Sequence, residues 1–276
     1  IKVIIVRVYG GLGNQLFQVN FGHFLQGKFN QKVYFDFSFF KTKGIRKPLV
    51  KSFINDIDQP TENITERFIK FKSFRLNQLY NKIFNKNYFT QFDPKVQIDE
   101  KQNYFFDGYW QDQKYLSKDN IQFQKVKFSK VSNDYLDQIQ ESKNSISIHI
   151  RRTDYLTKKN IKIFKILDQD YYLSAINLIT KERKKDYKIF VFSDDIMWAE
   201  ANLKFDLETT YIQNTDELED FNLMMNCQHN IIANSTFSWW AAHLKKNKNG
   251  LVIGPKTWYK NQSFEKNIKL KNWTWI

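Results

Sequence analysis

The N-terminal stretch IKVIIVRVYGGLGNQLFQVNFGHFLQGK, residues 1–28, decides the fold class. Its first part, Ile1–Val8, is a β-branched run that predicts a buried strand. The run leads into the turn Gly10-Gly11-Leu12-Gly13-Asn14-Gln15, and Leu16–Lys28 then carries apolar residues at helical spacing. A strand, a glycine turn and a helix in this order open an α/β unit.

A second unit of the same kind begins near residue 145. The alternating segment Ser145–Ile150 predicts a strand that leads into Arg151-Arg152-Thr153-Asp154. The pattern also predicts strands at Lys32–Phe37, Tyr104–Phe106, Lys188–Phe192, Asn230–Ala233 and Leu251–Ile253, and helices in Thr61–Lys95, Asp170–Arg183, Glu217–Gln228 and Ser235–Lys246. Such alternation favours parallel sheets with helices on both faces. We therefore expect two α/β domains, residues 1–140 and 141–276.

Composition restricts the class of protein. The 276 residues are 42% hydrophobic and 26% charged, which is typical of a folded chain. The single cysteine, Cys227, excludes an internal disulfide and favours a reducing compartment. No apolar run approaches the roughly 20 residues of a membrane span, and Ile1–Val8 is too short for a signal peptide. We expect a cytoplasmic protein.

A net charge of +14 favours an anionic partner, namely nucleic acid, an anionic membrane surface or a phosphorylated small molecule. The lysines are scattered, as in Lys181–Lys188 and Lys245–Lys248, and no recognisable nucleic-acid module is present. A basic nucleic-acid-binding protein is therefore a remote alternative, and we expect no nucleic acid as partner. Peripheral contact with the inner face of an anionic plasma membrane is a second expectation.

The basic motif His149-Ile150-Arg151-Arg152-Thr153-Asp154 follows a strand, where ligands of open α/β sheets bind. Because side chains alternate along a strand, His149 and Arg151 should project from one face and Arg152 from the other. A guanidinium is a planar fork of donors that suits a phosphate and can stabilise the charge of a leaving nucleoside diphosphate. The alternative is a structural ion pair between Asp154 and an arginine.

A second motif, Asn234-Ser235-Thr236-Phe237-Ser238-Trp239-Trp240, lies where a short strand turns into a helix. Backbone N–H groups and hydroxyls at a helix N-terminus form an anion site, although ordinary helix capping explains the same residue types. We expect the two tryptophans mainly to pack. The glycine turn at residues 10–15 has neither the spacing of a dinucleotide fingerprint nor a P-loop lysine, but it lets backbone approach a ligand closely.

Six segments, in this order along the chain, resemble the α-1,2-fucosyltransferases of glycosyltransferase family 11. They are Gly10–Gln15, Phe106–Gln111, His149–Tyr155, Phe192–Asp195, Asn234–Leu244 and Gly254-Pro255. The basic motif is also similar to that of α-1,6- and protein O-fucosyltransferases, so it indicates use of GDP-fucose. The glycine turn and the tryptophan pair favour the α-1,2 family. Animal members carry a membrane anchor that this sequence does not show, so we expect a bacterial enzyme.

The resemblance implies an α/β fold of the GT-B-like kind, with two Rossmann-like domains facing a central cleft. Residues 1–140 would be the acceptor side, and residues 141–276 would bind GDP-fucose. The implied activity is inverting transfer of L-fucose from GDP-β-L-fucose to the 2-hydroxyl of a terminal galactose, in an oligosaccharide, an O-antigen or a lipid-linked glycan. GDP-fucose is then a co-substrate, and neither a cofactor nor a metal is expected. Another linkage or another GDP-sugar is the alternative.

Site residues follow from the same resemblance. Arg151, Asn14 and Asp154 are the expected catalytic residues, with Arg151 on the β-phosphate. Expected donor contacts are Gly11, Gly13, Asn14, Gln15, His149, Arg151, Arg152, Asp194, Asp220, Ser235, Thr236 and Ser238. Asp194 and Asp220 would lie near guanosine, and Asn14 would reach the reaction centre from the N-terminal half. The base that activates the acceptor stays open among Asp36, Asp154 and Glu208.

One motif imitates a metal site. Asp168-Gln169-Asp170 matches the Asp-x-Asp sequence that other glycosyltransferases use to bind a metal ion. It directly precedes Tyr171-Tyr172-Leu173, at a position where aspartate caps a helix. We predict a helix cap.

Overall fold

The computed structural model describes residues 3–41, 46–55, 57–66, 68–71, 73–99, 101–116, 126–181, 186–260 and 267–276. The chain divides into two compact units, Ile1–Lys125 and Val126–Ile276. Each unit has its own parallel β-sheet. The α/β class with parallel sheets, expected from the alternation of strands and helices, is confirmed.

Unit 1 is built on a four-stranded sheet in its described residues, with strand order β2-β1-β4-β3. Its elements are β1 (Ile4–Arg7), α1 (Leu12–Phe29), β2 (Val33–Asp36), α2 (Glu62–Thr65), α3 (Phe74–Phe84), β3 (Tyr88–Phe89) and β4 (Tyr104–Phe106). Every residue of β1 is buried, as its β-branched composition requires of a central parallel strand. The region Thr61–Lys95 is only partly helical, because a loop separates α2 from α3 and β3 follows.

Helix α1 begins at Leu12, four residues before the start predicted from apolar spacing. The glycine turn is therefore partly helical: Gly11 is the N-cap, and its carbonyl accepts hydrogen bonds from the backbone N–H groups of Asn14 and Gln15 at 3.0 Å each. Gly10 has φ +84°, a conformation that glycine adopts without strain. This residue lets the chain reverse directly after β1 and enter the helix.

Unit 2 is built on a six-stranded sheet in the part of the chain that the structure describes, with order β10-β9-β8-β5-β6-β7. Its elements are α4 (Lys130–Glu141), β5 (Ser145–Ile150), α5 (Gln169–Ile179), β6 (Lys188–Ser193), α6 (Ile196–Asn202), β7 (Glu208–Tyr211), α7 (Glu217–Asn226), β8 (His229–Ile231), α8 (Thr236–His243), β9 (Val252–Gly254) and β10 (Thr274–Trp275). Buried residues of β5, β6, α5 and α6 share one core with β8 and β9.

Counted within unit 2, the strand order is 3-2-1-4-5-6, that of the Rossmann fold. In such a sheet the order reverses between the first and fourth strands, here β5 and β8, and ligands bind beyond the carboxyl ends of these strands. Unit 1 has a similar reversal between β1 and β4. The fold thus selects the segments after β5 and β8, and those after β1 and β4, as candidate sites.

The predicted domain boundary at residue 140 is corrected by the structure. Helix α4 ends at Glu141 and belongs to unit 2, which begins at Val126. The backbone N–H of Ser129, the N-cap of α4, donates to the Glu219 carboxylate on α7 at 2.5 Å. The sequence-based boundary was placed at the new strand β5, but the helix that precedes this strand packs on the same unit.

Six of the seven predicted strands are confirmed to within two residues at each end, and β1 occupies Ile4–Arg7 within the predicted Ile1–Val8, of which residues 1 and 2 lie outside the described residues. Helix α7 is confirmed to within two residues, whereas α5 and α8 are confirmed at their starts but end at Ile179 and His243, before the predicted ends. Elements α4, α6, β7 and β10 were not predicted. Residues 182 and 183, at the end of the predicted helix Asp170–Arg183, and residues 182–185 of the Lys181–Lys188 group lie outside the described residues. Among the helices described, none has the length and apolarity to cross a membrane.

Candidate active site

The reversal point of unit 2 brings the two main sequence motifs together. His149 is the fifth residue of β5, and Ser238 lies in the first turn of α8, which follows β8. The His149 Nδ1 and the Ser238 Oγ are hydrogen-bonded at 2.9 Å, and the Ser238 hydroxyl also donates to the Ser235 carbonyl at 3.3 Å. The basic motif and the start of α8 therefore form one structure.

Arg151 is held at the edge of this structure by two carboxylates. Its Nε and Nη2 donate to the two oxygens of Asp154 at 2.9 and 2.8 Å, and its Nη1 lies 3.3 Å from the Asp194 Oδ2. The Arg151 side chain is 18% exposed, so part of the guanidinium still faces solvent. The ion pair with Asp154, which was the structural alternative from sequence, is present.

Asp194 follows β6 and fixes the loop after β5. Its carboxylate accepts hydrogen bonds from the backbone N–H groups of Arg152 at 2.9 Å and Thr153 at 3.2 Å. Since β5 and β6 are neighbours, these bonds join the carboxyl ends of two parallel strands. Asp194, expected near guanosine, thus lies at the reversal point, where it orients Arg151.

Arg152 projects away from Arg151, as the alternation along the strand predicted. Its guanidinium carbon lies 3.7 Å from the centre of the Trp198 ring on α6, and its Nε lies 3.4 Å from the Asp195 carboxylate. Arg151 instead faces Asp154 and the ring of Tyr155. The two arginines therefore have different surroundings although they are adjacent in sequence.

The start of α8 differs from the other helix starts of unit 2. Side chains of Ser129, Asp168, Asp195 and Asp216 accept backbone N–H bonds at the starts of α4, α5, α6 and α7. Ser235, the N-cap of α8, makes no such side-chain bond. Ordinary capping by the Ser235 side chain therefore does not explain the residues 234–238. The positive end of the α8 dipole lies at the reversal point of unit 2.

Ser238 and the tryptophan pair are inside the protein. The Ser238 hydroxyl is buried and bonded to His149 and Ser235, so it supports His149, while its contact with the donor stays a prediction. Thr236 is half-buried at the first helical position. Trp239 and Trp240 are fully buried, and the Trp239 indole donates to the Ile268 carbonyl at 2.9 Å, which confirms their packing role.

His149 is neutral at physiological pH. Its burial, reinforced by the positive charge of Arg151, lowers the pKa of the imidazole to about 3. The ring of Phe237 lies 5.6 Å from the imidazole ring and further shields it. His149 is suited to hydrogen bonding and not to carrying charge next to Arg151.

Asp220 lies on α7, which packs against α8. Its carboxylate accepts a hydrogen bond from the Thr215 hydroxyl at 2.5 Å. Burial raises the pKa of this carboxyl to about 6. A carboxylate of this kind is a suitable acceptor for ligand N–H groups, and its charge is sensitive to mild acid.

In unit 1, the glycine turn is stabilised by Gln15. The Gln15 side chain is fully buried: its Nε2 donates to the carbonyls of Gly10 and Lys47 at 2.8 and 2.9 Å, and its Oε1 accepts from the Val50 N–H at 3.0 Å. The predicted contact of Gln15 with the donor stays a prediction, and the side chain has a structural role in addition. This side chain holds the turn to the segment 47–50.

Other residues of the glycine turn lie nearer the surface. Asn14 is half-buried, and its Oδ1 accepts a hydrogen bond from Gln111 Nε2 at 2.9 Å. The turns after β1 and β4, both expected to be functional, are thereby joined. Gly11 is half-buried as the N-cap of α1, whereas Gly13 is buried within the first turn of that helix.

Beneath this turn lies an ionic cluster that the sequence reasoning missed. The buried Arg7, at the end of β1, lies 3.6 Å from the Asp36 carboxylate and 3.3 Å from the Asp107 carboxylate. The Tyr88 hydroxyl donates to Asp107. Burial raises the pKa of both carboxyls. The sequence does contain a signal for this cluster. Arg7 lies in an otherwise apolar strand, and Asp36 and Asp107 lie at the ends of two other predicted strands.

Comparison with known proteins agrees with this arrangement. The family model described as Glycosyl transferase family 11 matches residues 56–276, most of the chain. The chain is a member of glycosyltransferase family 11. It is 30% identical to the O-antigen biosynthesis glycosyltransferase WbnK of Escherichia coli, covering 96% of this chain and 97% of that protein. It is 28% identical to an alpha-1,2-colitosyltransferase of Escherichia coli, covering 95% and 94%.

A solved structure supports the fold of this family 11 glycosyltransferase. The NodZ alpha-1,6-fucosyltransferase from Bradyrhizobium, co-crystallised with GDP, is similar with a TM-score of 0.52 and 13% identity. The alignment covers 88% of this chain and 92% of NodZ. The likeness shows the fold, and the GT-B-like α/β class expected from sequence is confirmed.

Among the three candidate bases of the glycosyltransferase, the structure separates one from the others. Asp36 is buried beside Arg7 and accepts hydrogen bonds from the Ser38 N–H and hydroxyl. Glu208 pairs with Lys188 at 2.7 Å, at the opposite end of β6 from Ser193. Five residues of strand place it roughly 16 Å from the reversal point. Asp154 alone of the three contacts Arg151.

A cavity of about 490 Å³ lies in unit 1 at the carboxyl end of β2. Its lining includes the aromatic rings of Phe37 and Phe40 and the charged side chains of Lys41, Lys51 and Glu66. The Lys51 ammonium lies 4.8 Å from the centre of the Phe37 ring. A mixture of aromatic faces with charged and polar groups suits a saccharide-sized ligand.

The Asp168-Gln169-Asp170 sequence is a helix start, as predicted. The Asp168 carboxylate accepts a hydrogen bond from the Tyr171 N–H at 3.1 Å and caps α5. Within the described ranges, no group of three or more His, Cys, Asp or Glu side chains is arranged to hold a metal ion.

Proposed function

We propose that this family 11 glycosyltransferase transfers L-fucose from GDP-β-L-fucose to the 2-hydroxyl of a terminal galactose, with inversion at the anomeric carbon. The observation that carries the proposal is the convergence of Arg151 with the start of α8 at the reversal point of unit 2, joined through His149 and Ser238. A cation and a helix N-terminus at one place suit a diphosphate.

In the proposed mechanism, Arg151 holds the β-phosphate while the bond from the β-phosphate oxygen to the fucose anomeric carbon breaks. A guanidinium has five N–H donors, and Asp154 accepts two of them, so donors are left for phosphate oxygens. Asp154 holds the guanidinium until the phosphate binds, and Asp194 keeps it in position afterwards, which spares its reorganisation as negative charge develops. The N–H groups at the start of α8, with the Thr236 hydroxyl, bind the other phosphate oxygens.

Fucose leaves with a flattened, positively charged ring, and the galactose hydroxyl attacks the opposite face, so a β-linked donor becomes an α-fucoside. Asp154 is the proposed base for the galactose hydroxyl. It can accept the proton only after the donor phosphate has replaced its carboxylate on Arg151. Asn14 remains a proposed catalytic residue, together with donor contacts from Gly11, Gly13 and Arg152.

A second donor is favoured by a specific observation. One relative is named for transfer of colitose in α-1,2 linkage. Colitose is L-fucose without its 3-hydroxyl, so the same diphosphate site serves either GDP-sugar. Discrimination between the two then depends on whether a polar side chain hydrogen-bonds the 3-hydroxyl.

For the acceptor, we propose that the cavity at the end of β2 binds a saccharide unit of the glycan. Its aromatic rings can cover the apolar face of a sugar, and its charged side chains can bind hydroxyl groups. The relation to a protein of O-antigen biosynthesis supports a bacterial surface glycan, including a lipid-linked one, as the acceptor.

The decisive experiment offers the purified protein GDP-fucose or GDP-colitose with a series of galactosides and identifies the product linkage by NMR. An α-1,2-fucoside of galactose is expected, with turnover unchanged in EDTA because Arg151 and the helix dipole neutralise the diphosphate. If the protein prefers GDP-colitose, GDP-colitose and not GDP-fucose is its donor. Loss of turnover in EDTA, restored by manganese, would overturn the metal-independent mechanism.

A further inference from the structure

Helix α3 buries polar side chains and exposes apolar ones, which is the opposite of an ordinary surface helix. The fully buried side chains on this helix include two asparagines, Asn77 and Asn81. Large apolar side chains point outward instead, with exposed fractions of 55% for Leu76, 58% for Leu79 and 65% for Ile83. A surface helix ordinarily buries its apolar stripe.

The buried asparagines explain how the helix remains attached. The Asn77 carboxamide accepts from the Lys70 N–H at 2.7 Å and donates to the Phe68 carbonyl at 2.9 Å. The Asn81 amide donates to the same Phe68 carbonyl at 2.7 Å. These bonds hold α3 to the segment before it, so the outward apolar face is part of a defined structure.

The exposed residues form one continuous face. Leu76, Leu79 and Ile83 are spaced three and four residues apart and therefore share one side of the helix. Phe84, 70% exposed, extends this side at the C-terminus of α3. No described part of the chain covers this face, which we call the α3 apolar face.

Positive charge borders the α3 apolar face. Arg75 and Lys82, seven residues apart, form a row beside Leu79 along the helix, and Lys86 follows directly after it. The segment from residue 67 to residue 92 contains six Lys or Arg residues and no Asp or Glu. A helix with an apolar face and a basic border is the kind that lies flat in the headgroup region of an anionic bilayer.

We propose that the α3 apolar face docks unit 1 onto a membrane surface that contains anionic lipid. Leu76, Leu79, Ile83 and Phe84 enter the boundary between headgroups and acyl chains, while Arg75, Lys82 and Lys86 contact lipid phosphates. The net charge of +14 adds long-range attraction to such a surface. This inference concerns a surface of unit 1 and does not depend on which sugar the enzyme transfers.

The test is sedimentation of the full chain with phosphatidylcholine vesicles, with or without about 30% phosphatidylglycerol. Binding is expected only to the anionic vesicles. The exposed double variant Leu79→Ser/Ile83→Ser should lower the partition coefficient at least tenfold, because two apolar side chains no longer enter the bilayer. Lys82→Gln/Lys86→Gln should lower it about tenfold or more, with the effect shrinking at high salt.

Matched controls separate this face from general charge and apolarity. Lys246→Gln/Lys271→Gln removes the same charge from unit 2, and Val131→Ser/Leu251→Ser removes two exposed apolar side chains there. Both should bind anionic vesicles within about twofold of the original chain. Turnover with a soluble galactoside should be unchanged in all four variants, and thermal melts report whether each folds.

The proposal is overturned if the original chain does not bind anionic vesicles, or if Leu79→Ser/Ile83→Ser binds them as strongly as the original chain does. Ultracentrifugation gives a further outcome: concentration-dependent association abolished by Leu79→Ser/Ile83→Ser, without vesicle binding, would make this face an interface between copies of the chain. Failure of vesicle binding with normal turnover would leave the proposed function intact.

Discussion

Each unit has an arginine at the carboxyl end of its first strand, and each of these arginines contacts two aspartates, but their surroundings differ. Arg7, the last residue of β1, is buried with Asp36 and Asp107, both of which are also buried. Arg151, after β5, contacts Asp154 and Asp194 at the edge of unit 2, and the Asp154 side chain is 41% exposed. The same residue types thus form a core ion cluster in one unit and a partly exposed ion cluster in the other.

Under the proposed function, solvent accessibility distinguishes Arg151, which can contact a phosphate, from the buried Arg7. A phosphate can replace an exposed carboxylate on Arg151, since Asp154 regains hydration when it is released. Releasing Asp36 or Asp107 would leave a charge buried without its partner, at a cost of several kcal/mol.

The largest effect is expected from Arg7→Leu. It leaves two carboxyls buried without a cation, which should cost about 3–5 kcal/mol in the free energy of unfolding. Urea denaturation followed by circular dichroism measures this loss. The double variant Arg7→Leu/Asp107→Asn, which removes one of the charges, should recover part of it; absence of both the loss and the recovery would contradict the core role.

Arg151→Lys should leave folding intact but lower kcat about 10²–10³-fold, equivalent to roughly 2.7–4 kcal/mol. Lysine keeps the charge but loses the planar fork that contacts Asp154 and the β-phosphate. Steady-state kinetics with thermal melts measures both effects. Arg152→Lys is the control, because Arg152 stacks on Trp198, and its loss should be milder. Near-normal kcat in Arg151→Lys would reduce this contact to a structural ion pair.

Thr236→Ala should weaken GDP binding by about 1.5–3 kcal/mol, since one hydroxyl donor to an anion is lost. Ser238→Ala should act differently, because Ser238 contacts His149 and not the solvent. It should mainly lower kcat by loosening His149. Calorimetric titration with GDP measures the affinity of both variants. If Thr236→Ala binds GDP as tightly as the original chain does, the start of α8 has only a packing role.

The smallest effect concerns pH. If the Asp220 carboxylate accepts from guanine, GDP-fucose affinity should fall at most tenfold per pH unit below about 6, where this carboxyl becomes protonated. GDP-fucose is the suitable ligand, because its phosphates lack the ionisation near pH 6 of a phosphate monoester. His149, with a pKa of about 3, stays neutral in this range. If the affinity of Asp220→Asn for GDP-fucose depends on pH in the same way, another group and not Asp220 is responsible for the pH dependence.

The same carboxyl affects stability with the opposite sign. Its pKa is raised from 3.8 to about 6 on folding, so the native chain holds this proton more tightly than the unfolded chain. The contribution of Asp220 to stability therefore decreases as the pH rises from 3.8 to about 6. As the pH rises through this interval, GDP-fucose binding should therefore strengthen while the contribution of Asp220 to stability decreases.

Sequence reasoning succeeded where local pattern is sufficient. The β-branched run before Arg7 and the alternation before Arg151 predicted central strands, and parallel topology then placed the following loops at the ligand edge. The orientation of Arg152 away from Arg151 followed from strand geometry alone.

It failed where distant residues decide. Gln15 is used by Lys47 and Val50, and Ser238 by His149, so only the folded chain shows that these polar side chains support the site from inside. Helix α4 carries Val131, Tyr135, Leu136 and Ile139 at helical spacing, a signal that the sequence prediction did not use, and it packs on α7, which also accepts the bond from Ser129 to Glu219. That missing helix caused the error in the domain boundary.

The bond between His149 and Ser238 joins residues 89 positions apart, and this separation matters during synthesis. At roughly 5–20 residues per second, a ribosome needs about 4–18 seconds to extend the chain from one to the other. From the addition of Asp154 onward, Arg151 can pair with this residue, three positions away, while the start of α8 has not yet been made. The growing chain thus has a paired arginine before the start of α8 has been made, and under the proposed function affinity for GDP would first appear once β8 and the start of α8 are complete.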